Sequence, residues 1–236
     1  MLSHFNAAKA AAWAFSNYAT FPKGVPPWRM MTGTAGWSDC TNFVSQALYV
    51  GGWKMVLPFQ TTQTPEDIYQ DPNATKSPDN GDSRKKYQYW YVDPYLIKTG
   101  HVHAFGRTWT ASDYLVRFAV EQSKRGACVY QGAGISLDVI LRLQPGDVLH
   151  IADKTLSQGI DHLQHTAMVV AAAWSGIRGR ASSSLPQEHK NNVVVFPSPY
   201  GVLAQHSTPS LHPLTRWLKF TQNYIYIWRP LPRFSE

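Results

Sequence analysis

The sequence predicts an α+β domain in which N-terminal helices pack on an antiparallel sheet. Three observations predict it: apolar residues at helical spacing near residues 6–18 and 40–52, a series of short apolar strands in the last third, and a length of 236 residues that suits one domain. The domain is expected to span 1–236, with insertions at about 60–86 and 175–190.

Residues 6 to 18 place Ala7, Ala10, Ala11, Ala14 and Tyr18 at i, i+3, i+4, i+7 and i+11, one face of a helix, before Phe21-Pro22 and Val25-Pro26-Pro27 break it. After a turn at Gly36, Asp39 reads as the N-cap of an amphipathic helix. Its inner face carries Cys40, Phe43, Val44, Ala47 and Leu48, and Gly51-Gly52 ends it. Gln60 to Lys86 is polar and rich in Pro, Asn, Asp and Ser, the composition of a long surface loop. The aromatic run Tyr87 to Val92 reads as a strand. A helix is expected from a Ser112-Asp113 cap to Lys124-Arg125-Gly126, with Tyr114, Leu115, Phe118 and Ala119 inside. Four strands follow: Val148 to Ile151 after a Pro145-Gly146-Asp147 turn, Thr166 to Ala172, Asn192 to Phe196, and Tyr224 to Trp228. The basic, Ser-rich stretch Ser175 to Lys190 reads as a loop between the second and third.

Composition narrows the function classes. The longest apolar stretch, Ala167 to Trp174, is too short to span a bilayer. The N-terminus lacks the basic start and apolar core of a secretory signal, so the expectation is synthesis in the cytoplasm and delivery outside it by another route. A net charge of +7 suits an anionic polymer, but the basic residues are scattered and no nucleic-acid recognition pattern occurs, which argues against a nucleic-acid target. Two cysteines 88 positions apart make no disulfide framework. Cys128 reads as a buried core residue.

Cys40 is the candidate nucleophile. At a helix N-terminus, unpaired N–H groups and the helix dipole favour a thiolate, and the same N–H groups can hold an oxyanion. Cysteine chemistry also needs a base, for which His165 stands immediately before an apolar strand, while His162 lies in the preceding loop. The group orienting that base is open among His206, Gln205 and Asp161. A metal-dependent hydrolase built on Asp161, His162, His165 and His206 is the competing chemistry, though no His-x-x-x-His pair supports it. The cysteine mechanism requires no cofactor.

The string Trp37-Ser38-Asp39-Cys40-Thr41-Asn42-Phe43-Val44-Ser45-Gln46-Ala47-Leu48 resembles the DCTNFVSQ motif of the bacterial putative amidase domain family, which is related to the NlpC/P60 and CHAP peptidases. Trp109-Thr110, Pro145-Gly146-Asp147-Val148-Leu149, His165 and Gln205-His206-Ser207 match further along, so the resemblance runs to about Trp217. It implies a papain-like fold with Cys40 as nucleophile, His165 as base, His206 in the third position, and Ser38 and Asp39 supporting the helix cap and oxyanion. It also implies cleavage of amide bonds, with peptidoglycan stem peptides as the expected substrate of a wall-lytic enzyme or an antibacterial toxin. Such a toxin would bring an immunity or secretion-system partner. Nine Trp and twelve Tyr would suit a sugar-bearing polymer, or simply a core. A cysteine deamidase or transferase, and a non-catalytic wall-binding module, are the alternatives.

Overall fold

A computed structural model describes residues 2–18, 40–56, 87–91, 106–152, 159–160, 163–171, 202–205, 210–213 and 221–235. The chain starts with strand β1 (Leu2–His4) and helices α1 (Ala7–Asn17) and α2 (Cys40–Val50). Helix α3 (Arg107–Thr110) and α4 (Ser112–Val116) follow, α4 running into a π-helical turn over Arg117–Gln122. The rest comprises β2 (Gly126–Ala133), α5 (Leu137–Arg142), β3 (Val148–Ala152), β4 (Leu163–Ala171), β5 (Val202–Gln205), β6 (Ser210–Pro213), β7 (Tyr224–Pro230) and β8 (Arg233–Ser235). Strands pair antiparallel in the order β2-β7-β3-β4-β5-β6, and β1 pairs with β8 in a separate two-stranded sheet. The fold is α+β.

The elements that form have physical causes in their own residues. Asn6 caps α1 by accepting the Lys9 N–H at 2.9 Å, and Ala10, Ala11 and Ala14 are its buried face. Small alanines let α1 lie close to α2, and both helices rest on β4. Helix α2 ends at Gly51 and Gly52. Gly52 has φ +113°, and a Cβ there would stand 2.6 Å from the His4 carbonyl oxygen, so only glycine fits. The Pro145-Gly146 turn feeds β3, and its Asp147 side chain accepts the Gln144 N–H at 2.8 Å and an Arg229 ion pair at 2.7 Å.

Alternation along the strands divides two cores. Val148, Met168, Val170, Tyr226 and Trp228 face the helices with Phe43, Val44 and Leu48, whereas Leu149, Ala167, Val169, Ile225 and Ile227 pack under α5 with Val139, Ile140 and Leu143. The helix-side core is aromatic: Trp53 stacks on Trp228 with centroids 5.6 Å apart, and Trp90 lies 4.5 Å from Trp109. Those four tryptophans are fully buried, so they serve packing and not the stacking on sugars that composition suggested.

Several expectations are corrected. Helix α2 is buried from Cys40 to Leu48, with no polar face to solvent, because its polar residues find partners in the core. Trp109 Nε1 donates to Asn42 Oδ1 at 2.7 Å, and Ser45 Oγ donates to the Trp109 carbonyl at 2.9 Å while receiving Trp90 Nε1 at 3.3 Å. Tyr87 and Gln88 form a turn, and Trp90 makes only an isolated bridge with Val56. Ser112 is not a cap: Ala111 holds that position with no side-chain bond, and the Ser112 hydroxyl turns inward to His150. The helix after it shifts to π geometry, and Gly126 opens β2, an edge strand among those described. Cys128 lies on that edge and is exposed, not buried. Gln60 to Lys86, Ser175 to Lys190 and Asn192 to Phe196 lie outside the described residues.

Candidate active site

Cys40 is the first residue of α2 and is buried, about 1% exposed. Its Sγ lies 3.8 Å from the Thr41 hydroxyl and 3.8 Å from the carbonyl oxygen of Gln164 on β4. The helix N-terminus therefore delivers the sulfur to the backbone of the residue preceding His165. Sequence spacing of 124 positions is closed by packing α2 directly on β4.

His165 lies inside β4, not before it, and pairs in register with Ile151. A bulge makes Gln164 an extra residue, since Ala152 pairs with Leu163 while Ile151 pairs with His165. Leu163 and Thr166 both belong to the helix-side face although three residues apart, so the usual alternation is interrupted across Gln164 and His165. The His165 side chain is half-buried, and its carbonyl accepts the Ser112 hydroxyl at 3.3 Å.

Thr166 connects the site to the sheet interior. Its Oγ1 lies 2.9 Å from Thr41 Oγ1, donates to Ser112 Oγ at 2.9 Å, and lies 3.1 Å from Nδ1 of His150. His150 Nδ1 is 2.7 Å from Ser112 Oγ, and Trp228 Nε1 donates to His150 Nε2 at 2.8 Å. An indole N–H can only donate, so Nε2 is unprotonated and the ring is the neutral Nδ1–H tautomer. Burial, and then the charge of nearby His165, hold the His150 pKa down to about 3.

Ser38, Asp39, Asp161, His162 and His206 lie outside the described residues, and of Gln205 only the strand position in β5 is described. β5 pairs with β4 from Met168 opposite Ala204 to Ala171 opposite Val202. Among the described residues no group of three His, Cys, Asp or Glu could hold a metal ion, and no helix is long and apolar enough to cross a membrane.

Residues 4–218 match the family model described as "Putative amidase domain". The chain belongs to that family. No curated protein and no solved structure matches it. Amide hydrolysis in general is what the family description supports, over a match that includes Cys40, Ser112, His150, His165 and Thr166 and ends before Trp228.

Sequence reasoning missed Asn42, Ser112, His150 and Thr166 as parts of this site. Asn42 was visible inside the Cys40-Thr41-Asn42-Phe43 string. His150 was a polar residue in an otherwise apolar strand, a pattern that marks a buried hydrogen-bonded group once the strand is known to be central.

Proposed function

We propose that the chain is a cysteine-dependent amide hydrolase with a papain-like arrangement, acting on peptidoglycan stem peptides outside the cytoplasm that makes it. The observation that carries this reading is the placement of the Cys40 sulfur at a helix N-terminus, 3.8 Å from the carbonyl joining Gln164 to His165. A thiolate there is favoured by the helix dipole.

In this mechanism His165 takes the thiol proton, the Cys40 sulfur attacks the amide carbonyl, and the carbon–nitrogen bond breaks as His165 returns the proton to the leaving amine. Water then attacks the thioester, giving the free acid and restoring the thiol. The Cys40 N–H supports the tetrahedral oxyanion, with Ser38 and Asp39 shaping the cap and His206 orienting the imidazole. A net charge of +7 favours encounter with an anionic wall.

The test is mass spectrometry of purified peptidoglycan after incubation with the protein and with Cys40→Ala. New stem-peptide fragments from the unsubstituted protein alone are expected. Equal fragments from both would rule out the thiol, and none from either would remove peptidoglycan as substrate.

A further inference from the structure

Behind Cys40 the hydroxyls of Thr41, Thr166 and Ser112 form a continuous chain to His150, every link of it buried. Its hydrogens have two consistent arrangements. In the first, the Cys40 S–H donates to Thr41 Oγ1, Thr41 to Thr166, Thr166 to Ser112, and Ser112 to the His165 carbonyl. This order suits the thiol.

In the second, His150 Nδ1–H, which reaches both Ser112 Oγ at 2.7 Å and Thr166 Oγ1 at 3.1 Å, donates to Thr166. Thr166 then donates to Thr41, and Thr41 points its hydrogen at the sulfur. This order suits the thiolate. Ser112 keeps its bond to the His165 carbonyl in both, and only hydroxyl rotors turn. Trp228 makes the reversal workable, because its donation to Nε2 keeps a hydrogen on Nδ1.

We propose that Thr41, Thr166 and Ser112, headed by the tautomer-fixed His150, are positioning residues: a reversible hydroxyl wire that accommodates both ionisation states of Cys40. The inference rests on the reading of Cys40 as nucleophile. No proton enters or leaves the wire; the thiol proton goes to His165. The desolvated sulfur gains a donor when it becomes charged, and the Gln164 carbonyl at 3.8 Å remains an acceptor suited only to the thiol. The charged or titratable side chains described on the neighbouring elements are exposed Lys9 on α1, half-buried Asp113 and Tyr114 on α4, His150 on β3 and His165 on β4.

The test follows the rate of Cys40 alkylation by iodoacetamide against pH, with exposed Cys128 replaced by serine. The midpoint of the profile does not depend on how fast the buried sulfur reacts. Thr41→Val, which removes the hydroxyl that donates to the thiolate, is expected to raise the midpoint by about one pH unit, as loss of one charge-assisted hydrogen bond implies. Thr41→Ser is expected to restore it. An unmoved midpoint in Thr41→Val overturns the wire, and if Cys40→Ala still abolishes hydrolysis the nucleophile stands without it. A shifted midpoint with hydrolysis intact in Cys40→Ala supports the wire and removes the nucleophile.

A second measurement needs no core variant. Nitrogen-15 NMR of the unsubstituted protein should show His150 as the Nδ1–H tautomer, with a Nδ1 inflection at the thiol midpoint that disappears in Cys40→Ala. The opposite tautomer, or no such inflection, contradicts the proposal.

Discussion

The indole N–H of Trp228 donates to Nε2 of His150 across 2.8 Å, with both side chains fully buried. The bond forbids protonation of that nitrogen and ties acid stability to one ring. The His150 pKa falls from 6.5 to about 3 on folding. Above pH 6.5 both folded and unfolded chains keep the ring neutral. As pH drops below that, the unfolded chain takes up a proton that the folded one refuses, so stability is lost progressively down to pH 3. Urea unfolding at pH 7.5, 5.5 and 4 should show a loss on the order of a few kcal/mol. His150→Gln should flatten that part of the slope; an unchanged slope would assign it elsewhere.

Arg229 makes two bonds to buried Asp147, Nε to Oδ1 at 2.7 Å and Nη2 to Oδ2 at 2.8 Å, and that bonding is the first cause of its raised pKa. Arg229→Ala would leave a carboxylate that is 1% exposed with only the Gln144 N–H to satisfy it. The expected cost is about 3 kcal/mol, the low end for a broken buried pair because Arg229 is itself a third exposed. Arg229→Lys should recover little, since an ammonium cannot make the paired contact. Denaturant midpoints of the three proteins decide this.

Asn42 accepts Trp109 Nε1 at 2.7 Å and Gln46 Nε2 at 3.2 Å. Asn42→Leu should destabilise the protein by about 1–3 kcal/mol, since it strands a buried indole N–H. Trp109→Phe in the same background should give back part of that loss by removing the orphaned donor, a result readable as non-additivity in a double-mutant cycle. Strict additivity would mean the bond carries no energy.

Gly52→Ala meets both a positive φ and the His4 carbonyl, so it should lower stability by at least about 1 kcal/mol. The strain falls where β1 meets the end of α2. Hydrogen exchange should show the β1–β8 pair opening more readily, and unchanged protection there would place the strain elsewhere.

What the sequence made legible followed from local chemistry. Helical spacing of alanines drew α1, and the string around Cys40 located the helix start that carries the sulfur. Apolar runs located β3, β4 and β7. What stayed hidden depended on distant partners. β1 is three residues paired with the other end of the chain, at Arg233–Ser235, and no local signal announces such a pairing. Ser112 looked like a cap because serine favours caps, but a buried imidazole competed for its hydroxyl and won. The polar residues of α2 suggested a solvated face until the Trp90 and Trp109 indoles supplied them with buried partners. Cys128 seemed apolar filler only while β2, whose edge position exposes it, was unread.

The central claim, that Cys40 carries the acyl group, is tested most directly by acid-quenching the protein during hydrolysis of a peptidoglycan fragment and mapping its peptides by mass spectrometry. The account predicts an adduct with the mass of the acyl portion on the peptide containing Cys40, labile to hydroxylamine as a thioester is, and absent from Cys40→Ala, which should also fail to turn over. Steady turnover with no adduct, undiminished in Cys40→Ala, would contradict it.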